Sequence, residues 1–255
     1  IDAVEKNGST SPYGTIVALS ESPIDENFIV IGTDDGLIQI TENSGKTWRK
    51  VDNIPEAPIQ SYENSVYLSQ HNVNVIYVAF NHHKYGDFKP YIFKSSDKGN
   101  SWVSISSNLP KRGSVYSIEE DHIDRDLIFC GTEFGVFFSP DSGGSWKELA
   151  SGLPTIAVRD IAIQRRENDL VLGTFGRGFY VLDDYSVLRS IENSEKYPVA
   201  QIFDVRDALM WEKANPLGLP GKAFQGDNFY LAENLDPVAI FTYNFDEKFE
   251  SLKSK

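Results

Sequence analysis

The sequence is poor in cysteine and in basic residues, and each shortage excludes a class of protein. Cys130 is the only cysteine, so the chain forms no intramolecular disulfide and no cysteine-based zinc site. It lies in the apolar run 127–130, where a buried structural thiol is expected. The 24 basic side chains are outnumbered by 37 acidic ones, a net charge of −13. Because such a surface repels phosphate backbones, nucleic acid is not expected as a partner.

The sequence also lacks a membrane-spanning apolar run, a signal peptide, a phosphate-binding loop and a Ser/His/Asp motif. No cofactor is expected from this pattern. The chain starts at Ile1, inside the region of its repeats, which predicts a fragment of a longer protein. The missing signal peptide therefore carries no information about export.

Hydrophobic residues make up 40% of the chain and aromatic residues 13%. The first value predicts a packed core, and the abundance of Phe and Tyr favours strands over helices.

An eight-residue pattern, (S/T)-x-(D/N)-x-G-x-(S/T)-W, occurs three times and is called the tryptophan turn below. Its copies are 41–48, 95–102 and 139–146. The tryptophans Trp48 and Trp102 are 54 residues apart, and Trp146 follows after 44. The longer interval contains an extra polar stretch, 81–90, without which the period falls to the length of a four-stranded propeller blade.

The tryptophan turn is predicted to be structural. Its Asp or Asn can cap backbone N–H groups of its own turn, its Gly can adopt a positive φ, and its Trp can pack in the sheet. A calcium loop is the alternative, but each turn has too few carboxylates for one. The residues concerned are Asn43, Gly45 and Trp48; Asp97, Gly99 and Trp102; and Asp141, Gly143 and Trp146.

A second motif recurs in phase with the first and is called the G-T turn: 32–36, 131–135 and 173–178. Each copy follows one β-rich run and precedes another. Every repeat therefore reads as a four-stranded antiparallel meander, and the predicted blades span 13–53, 60–108, 113–150 and 155–188. The fourth blade has no tryptophan turn. The fold class predicted is an all-β propeller, present here as a partial ring of four blades.

The pattern breaks after Arg189, which predicts two regions: a propeller portion over 1–188, and a linker with the start of an incomplete β-sandwich-like domain over 189–255. The strands predicted in the second region are 199–203, 227–232 and 238–245.

The tryptophan and G-T turns over residues 13–188 resemble the BNR/Asp-box repeat superfamily. Similar members are bacterial exported proteins named glycosyl hydrolase with BNR repeat, the sortilin N-terminal propeller and xyloglucanase-type propellers. The resemblance implies a secreted, periplasmic or cell-surface protein. Sortilins carry a cysteine-rich module after the propeller, which this chain lacks.

The G-T turns join two inner strands of each sheet and are expected near the mouth of the central channel. Candidate ligand-binding residues there are Asp35, Phe134, Phe175 and Arg177. The resemblance to xyloglucanase-type propellers, in which a T-D-x-G turn supplies a catalytic aspartate, makes Asp34 a candidate base, with Glu133 as a second carboxyl group. The alternative is that both carboxylates cap their own turns or face solvent.

Two functions remain open: a propeller that binds a glycan or a peptide, together with the remaining blades of its parent protein, and a polysaccharide hydrolase that uses Asp34. A sialidase is disfavoured because the arginines, including Arg159 and Arg177, show no converging spacing. No metal site is expected, because His82 and His83 lie in the extra stretch of the second repeat, where a surface position is favoured.

Overall fold

The computed structural model describes residues 14–51, 53–191, 200–208, 210, 212 and 237–245. The chain divides into two compact units, Ile1–Asn193 and Ser194–Lys255.

The first unit contains four antiparallel sheets, each a meander in chain order. The first sheet has β1 Ile16–Glu21, β2 Ile29–Thr33, β3 Ile38–Thr41 and β4 Arg49–Val51. The second has β5 Tyr62–Leu68, β6 Ile76–His82, β7 Asp87–Ser95 and β8 Val103–Ser104. The third has β9 Val115–Glu120, β10 Ile128–Thr132, β11 Gly135–Ser139 and β12 Lys147–Glu148, and the fourth has β13 Val158–Gln164, β14 Asp169–Thr174 and β15 Phe179–Leu182.

The sheets stack face to face, with one apolar core between each neighbouring pair. Strand β6 shows why: Ile76, Val78 and Phe80 belong to the core shared with the first sheet, whereas Tyr77 and Ala79 belong to the core shared with the third. Alternate side chains of a strand point to opposite faces, so a sheet with a neighbour on each side needs an almost continuous apolar strand.

The first and fourth sheets each have a neighbour on one side only, and the described sheets do not close into a ring. On the first sheet Leu19 is 65% exposed and Trp48 is 41% exposed. On the fourth, Phe179 is 79% exposed and Val181 is 54% exposed. The two ends of the stack therefore present apolar side chains to solvent.

The tryptophan turns connect the third and fourth strands of the first three sheets. The Asp97 carboxylate accepts hydrogen bonds from the backbone N–H groups of Asn100 and Ser101, at 3.0 and 2.8 Å. Asp141 accepts one from the Ser145 N–H at 2.8 Å, and the Asn43 amide oxygen accepts one from the Thr47 N–H at 2.9 Å. These contacts within each turn hold the reversal.

The second and third tryptophan turns pack towards the preceding sheet. Trp102 lies in the core between the first two sheets, and Trp146 lies in the core between the second and third. The turn glycines make close approach possible: a Cβ on Gly143 would lie 2.8 Å from Ile105 of the preceding repeat. Trp48 has no described sheet before it, which explains why it alone of these three is exposed.

In the second unit, β16 Ala200–Ile202 pairs antiparallel with β17 Tyr243–Phe245. These strands lie within the predicted strands 199–203 and 238–245, whereas 227–232 is outside the described residues. The sandwich-like domain and the predicted domain boundaries stay predictions. No helix in the described ranges is long and apolar enough to cross a membrane.

Candidate functional site

The G-T turns lie at one edge of the stacked sheets, each beside the start of the first strand of its own sheet. A repeated hydrogen bond makes this connection: the Asp34 N–H donates to Thr15 O at 3.0 Å, Glu133 N–H to Ser114 O at 3.0 Å, and Phe175 N–H to Ala157 O at 2.9 Å. In the second sheet β6 ends at the same edge, where the short 3-10 helix His83–Tyr85 follows. Side chains from three sheets consequently meet there.

A cleft of about 410 Å³ opens at this edge. Residues that line it include Asn64, Asn81, His83, Tyr116, Glu133 and Arg159. A much smaller pocket beside it is lined by Asp34 and His82, and it shares Tyr62, Asn81 and Lys84 with the cleft. The cleft is large enough for a few residues of a chain ligand.

Arg159 supplies positive charge to the cleft. Its guanidinium lies 3.7 Å from the centre of the Tyr116 ring and 5.4 Å from the centre of the Phe175 ring. Burial raises the pKa of Tyr116, with Arg159 opposing that effect. The described residues provide no hydrogen bond or ion pair to this guanidinium, so its N–H groups are available to an anionic partner.

Glu133 and Ser114 each place in the cleft a buried polar atom that has no hydrogen-bond partner among the described residues. These atoms are Oε2 of Glu133 and the hydroxyl oxygen of Ser114. Most buried polar atoms in folded proteins are hydrogen-bonded, so such groups commonly mark a site for water or a ligand.

His83 lies beside these charges in the cleft. Burial lowers the pKa of His83, and Lys84 and Arg159 lower it further, whereas Glu133 raises it. Its Nδ1 contacts the side-chain oxygen of Asn81. The imidazole is therefore mostly neutral near pH 7.

Asp34 and Asp35 make structural contacts at the start of β1 and in the first G-T turn. The Asp34 carboxylate Oδ1 accepts hydrogen bonds from the backbone N–H groups of Gly14 and Thr15, both at 2.9 Å. Asp35 accepts one from the Thr33 hydroxyl. Both aspartates therefore stabilise the start of β1 and the first G-T turn.

The other predicted site residues divide into two groups. Glu133 lines the cleft, and Phe175 contacts Arg159 at its border. Phe134 is 42% exposed and packs near Gly113. Asp35, Phe134 and Arg177 are not among the residues that line these two cavities.

Sequence reasoning missed most of the cleft: Asn64, Asn81, Tyr116 and Arg159 were not selected. The one available signal was the polar stretch 81–90, which lengthens a single repeat and supplies His83 and Lys84. Within the described ranges no three His, Cys, Asp or Glu side chains could hold a metal ion together. The third histidine of this repeat, His71, lies beyond the other end of β6, where it hydrogen-bonds the Asp121 carbonyl at 2.7 Å.

No protein-family model and no curated protein matches the chain. Solved structures do resemble it. The GH74 enzyme of Niastella koreensis has a TM-score of 0.56 at 13% identity, over 71% of this chain and 30% of that one. YCF48 bound to D1 peptide has a TM-score of 0.52 at 18% identity, over 68% and 53%. The extracellular domain of the putative one component system BT4673 of B. thetaiotaomicron has 0.50 at 18%, over 67% and 21%.

These likenesses show the fold, and they confirm the predicted all-β propeller class. The chain spans between 21% and 53% of the length of these structures.

Proposed function

We propose that this chain is part of an Asp-box propeller of the BNR type from an exported protein, and that it binds a glycan or a peptide in the cleft. The cleft itself carries the proposal: it combines a neutral histidine with an arginine that has no anionic partner, and a buried carboxylate oxygen that has no donor, among the residues that the structure describes. Pockets of this size with a few convergent polar groups are typical binding sites.

The remaining blades of the parent protein are proposed as a second partner. The apolar side chains on the first and fourth sheets, such as Leu19 and Phe179, support this proposal because the buried sheet faces are built from the same residue types. An exported location is proposed from the resemblance to BNR proteins and fits the extracellular domain with a similar fold.

A hydrolase that uses Asp34 is the second candidate, and the matching T-D-x-G turn together with the similarity in fold to a GH74 enzyme favours it. Asp34 Oδ1 already accepts hydrogen bonds from the backbone N–H groups of Gly14 and Thr15, which gives this carboxylate a structural role. This favours binding over hydrolysis, because a catalytic base must be within reach of a substrate proton.

The test is binding of the labelled chain to glycan and peptide arrays, with Arg159→Ala and Glu133→Gln as cleft variants. Arg166→Ala is the matched control, because the Arg166 side chain is 81% exposed and pairs with neighbouring Glu167 on the surface. We expect the cleft variants to lose the signals that the control keeps. Signals that survive both cleft variants would place binding elsewhere.

Hydrolysis of β-glucans distinguishes the hydrolase from the binding proposal. A wild-type chain that hydrolyses them, together with an Asp34→Asn variant that folds and does not, would replace the binding proposal by the hydrolase.

A further inference from the structure

Three side chains from the second sheet form a hydrogen-bonded chain that ends in the cleft. Asn64 Nδ2 donates to the Val115 carbonyl at 2.6 Å. Asn81 Nδ2 donates to Asn64 Oδ1 at 2.6 Å, and Asn81 Oδ1 contacts His83 Nδ1. The series therefore runs from the backbone of the third sheet to an imidazole in the cleft.

The direction of each hydrogen bond in this series follows from the Val115 carbonyl at its first end. The Val115 carbonyl can only accept, so the Asn64 atom that faces it must be the amide nitrogen. Asn64 then offers its oxygen to Asn81, which must donate and is left with its own oxygen facing His83. His83 must consequently donate from Nδ1, and in the neutral ring the lone pair lies on Nε2.

The charged and titratable groups around His83 favour this neutral form. Burial, Lys84 and Arg159 lower the pKa of His83, Glu133 raises it, and His83 in turn lowers the pKa of neighbouring His82. A neutral ring with a lone pair on Nε2 accepts hydrogen bonds from a ligand.

A ligand of the cleft must therefore carry groups that match His83, Glu133 and Arg159. The buried Glu133 Oε2 needs a donor, whereas the exposed His83 Nε2 can accept a hydrogen bond and the exposed Arg159 guanidinium can pair with an anion. The Arg159 guanidinium lies over one face of the Tyr116 ring, so that face is not open to a sugar. This arrangement favours a peptide over a glycan.

We propose that the cleft binds a peptide segment whose carboxylate pairs with Arg159 and whose adjacent N–H donates to His83 Nε2. Asn64 and Asn81 are positioning residues, which act by fixing the tautomer of His83. The inference rests on the proposed binding function and names its ligand class.

The first arm of the test uses no ligand. Long-range nitrogen–proton NMR of the histidine-labelled chain at pH 7 reads the tautomer of each imidazole, and His83→Gln assigns the His83 signals among the four histidines. We expect a protonated Nδ1 and a bare Nε2. An Nε2–H tautomer would overturn the proposal. In Asn81→Asp, the new carboxylate should raise the titration midpoint of His83, and an unchanged midpoint in a folded variant would show that Asn81 does not orient it.

The second arm titrates wild type with N-acetylglycine, which carries an amide N–H beside a carboxylate. N-acetylglycinamide lacks the charge, and glucuronate is a carboxylate on a sugar. We expect N-acetylglycine to shift the His83 Nε2 signal, and Arg159→Ala to weaken this binding about 10-fold or more while Arg166→Ala does not. A response to glucuronate without one to N-acetylglycine would overturn the peptide assignment but leave cleft binding intact. No response to any probe would overturn the peptide assignment, whereas the array experiment tests the binding function separately.

Discussion

Arg189 forms a bidentate ion pair with the fully buried Asp121: its Nε lies 2.9 Å from Oδ1 and its Nη2 lies 2.7 Å from Oδ2. The arginine belongs to the 3-10 helix Tyr185–Ser190 that follows β15, and the aspartate follows β9 of the third sheet. The Tyr185 hydroxyl donates to the same carboxylate at 2.6 Å. These contacts attach the end of the fourth repeat to the third sheet.

Removal of Arg189 is therefore expected to destabilise the propeller. Arg189→Ala would leave the Asp121 carboxylate buried without its cation, which typically costs about 3–5 kcal/mol. The free energy of unfolding in urea measures the loss. Arg166→Ala, which removes an exposed arginine, should change this value by about 0.5 kcal/mol or less.

The same pair predicts acid sensitivity. Burial alone would raise the pKa of Asp121, but the Arg189 hydrogen bonds, helped by Tyr185 and backbone N–H groups, lower it to about 2. Because the folded-state pKa lies below the unfolded value, the stabilisation is present above about pH 4 and is lost as the pH falls towards 2. Urea midpoints of wild type and Asp121→Asn should converge over this window. A constant difference between them down to pH 2 would contradict the assignment.

Glu63 predicts the opposite pH dependence. It lies before the β-bulge of β5, the position that Ile16, Val115 and Val158 occupy in the other first strands. Its carboxyl group is fully buried, and within the described part of the chain neither oxygen has a partner that meets hydrogen-bond geometry. Burial raises its pKa well above the usual value, opposed by a smaller effect of the Thr33 backbone.

Stability should therefore fall as the pH rises from about 4.5 through the raised pKa, because the folded state holds its proton longer than the unfolded state. Glu63→Val should reduce this slope, to which the raised pKa values of Glu119 and Glu120 also contribute, and should stabilise the chain at pH 8 by about 1–3 kcal/mol. Unfolding midpoints between pH 5 and 8 test both expectations. Equal slopes in wild type and variant would show that Glu63 is not the responsible group.

The close contact between repeats at Gly143 can be measured against a matched glycine. Gly143 and Gly152 both have a positive φ, +94° and +75°, but a Cβ would collide with Ile105 only at Gly143. Gly152→Ala should cost about 1–2 kcal/mol for its backbone conformation. Gly143→Ala should cost about 1–3 kcal/mol more for overpacking, as measured by urea unfolding. Equal losses of stability in the two variants would mean that Ile105 moves aside for the new Cβ at no cost.

Local chemistry made much of this fold predictable. Asp97 and Ser101 lie four residues apart in a turn whose hydrogen bonds close within the motif, so the pattern specifies the structure without the rest of the chain. The almost continuous apolar run of β6 likewise indicates that both of its faces are buried. Asp34 shows the limit of a short motif: the T-D-x-G turn was found, but its carboxylate accepts from Gly14 and Thr15, a contact that no spacing reveals.

By itself the sequence determined the strands, the tryptophan turns and the propeller class, because hydrogen bonds within a turn and the two-residue period of a strand depend on neighbours along the chain. Only the tertiary structure decided which side chains share the cleft. Arg159 meets Tyr116, and Asn64 meets Val115, because adjacent sheets bring their first strands together at one edge. That juxtaposition depends on how the sheets stack, a relation between distant segments that no local pattern encodes.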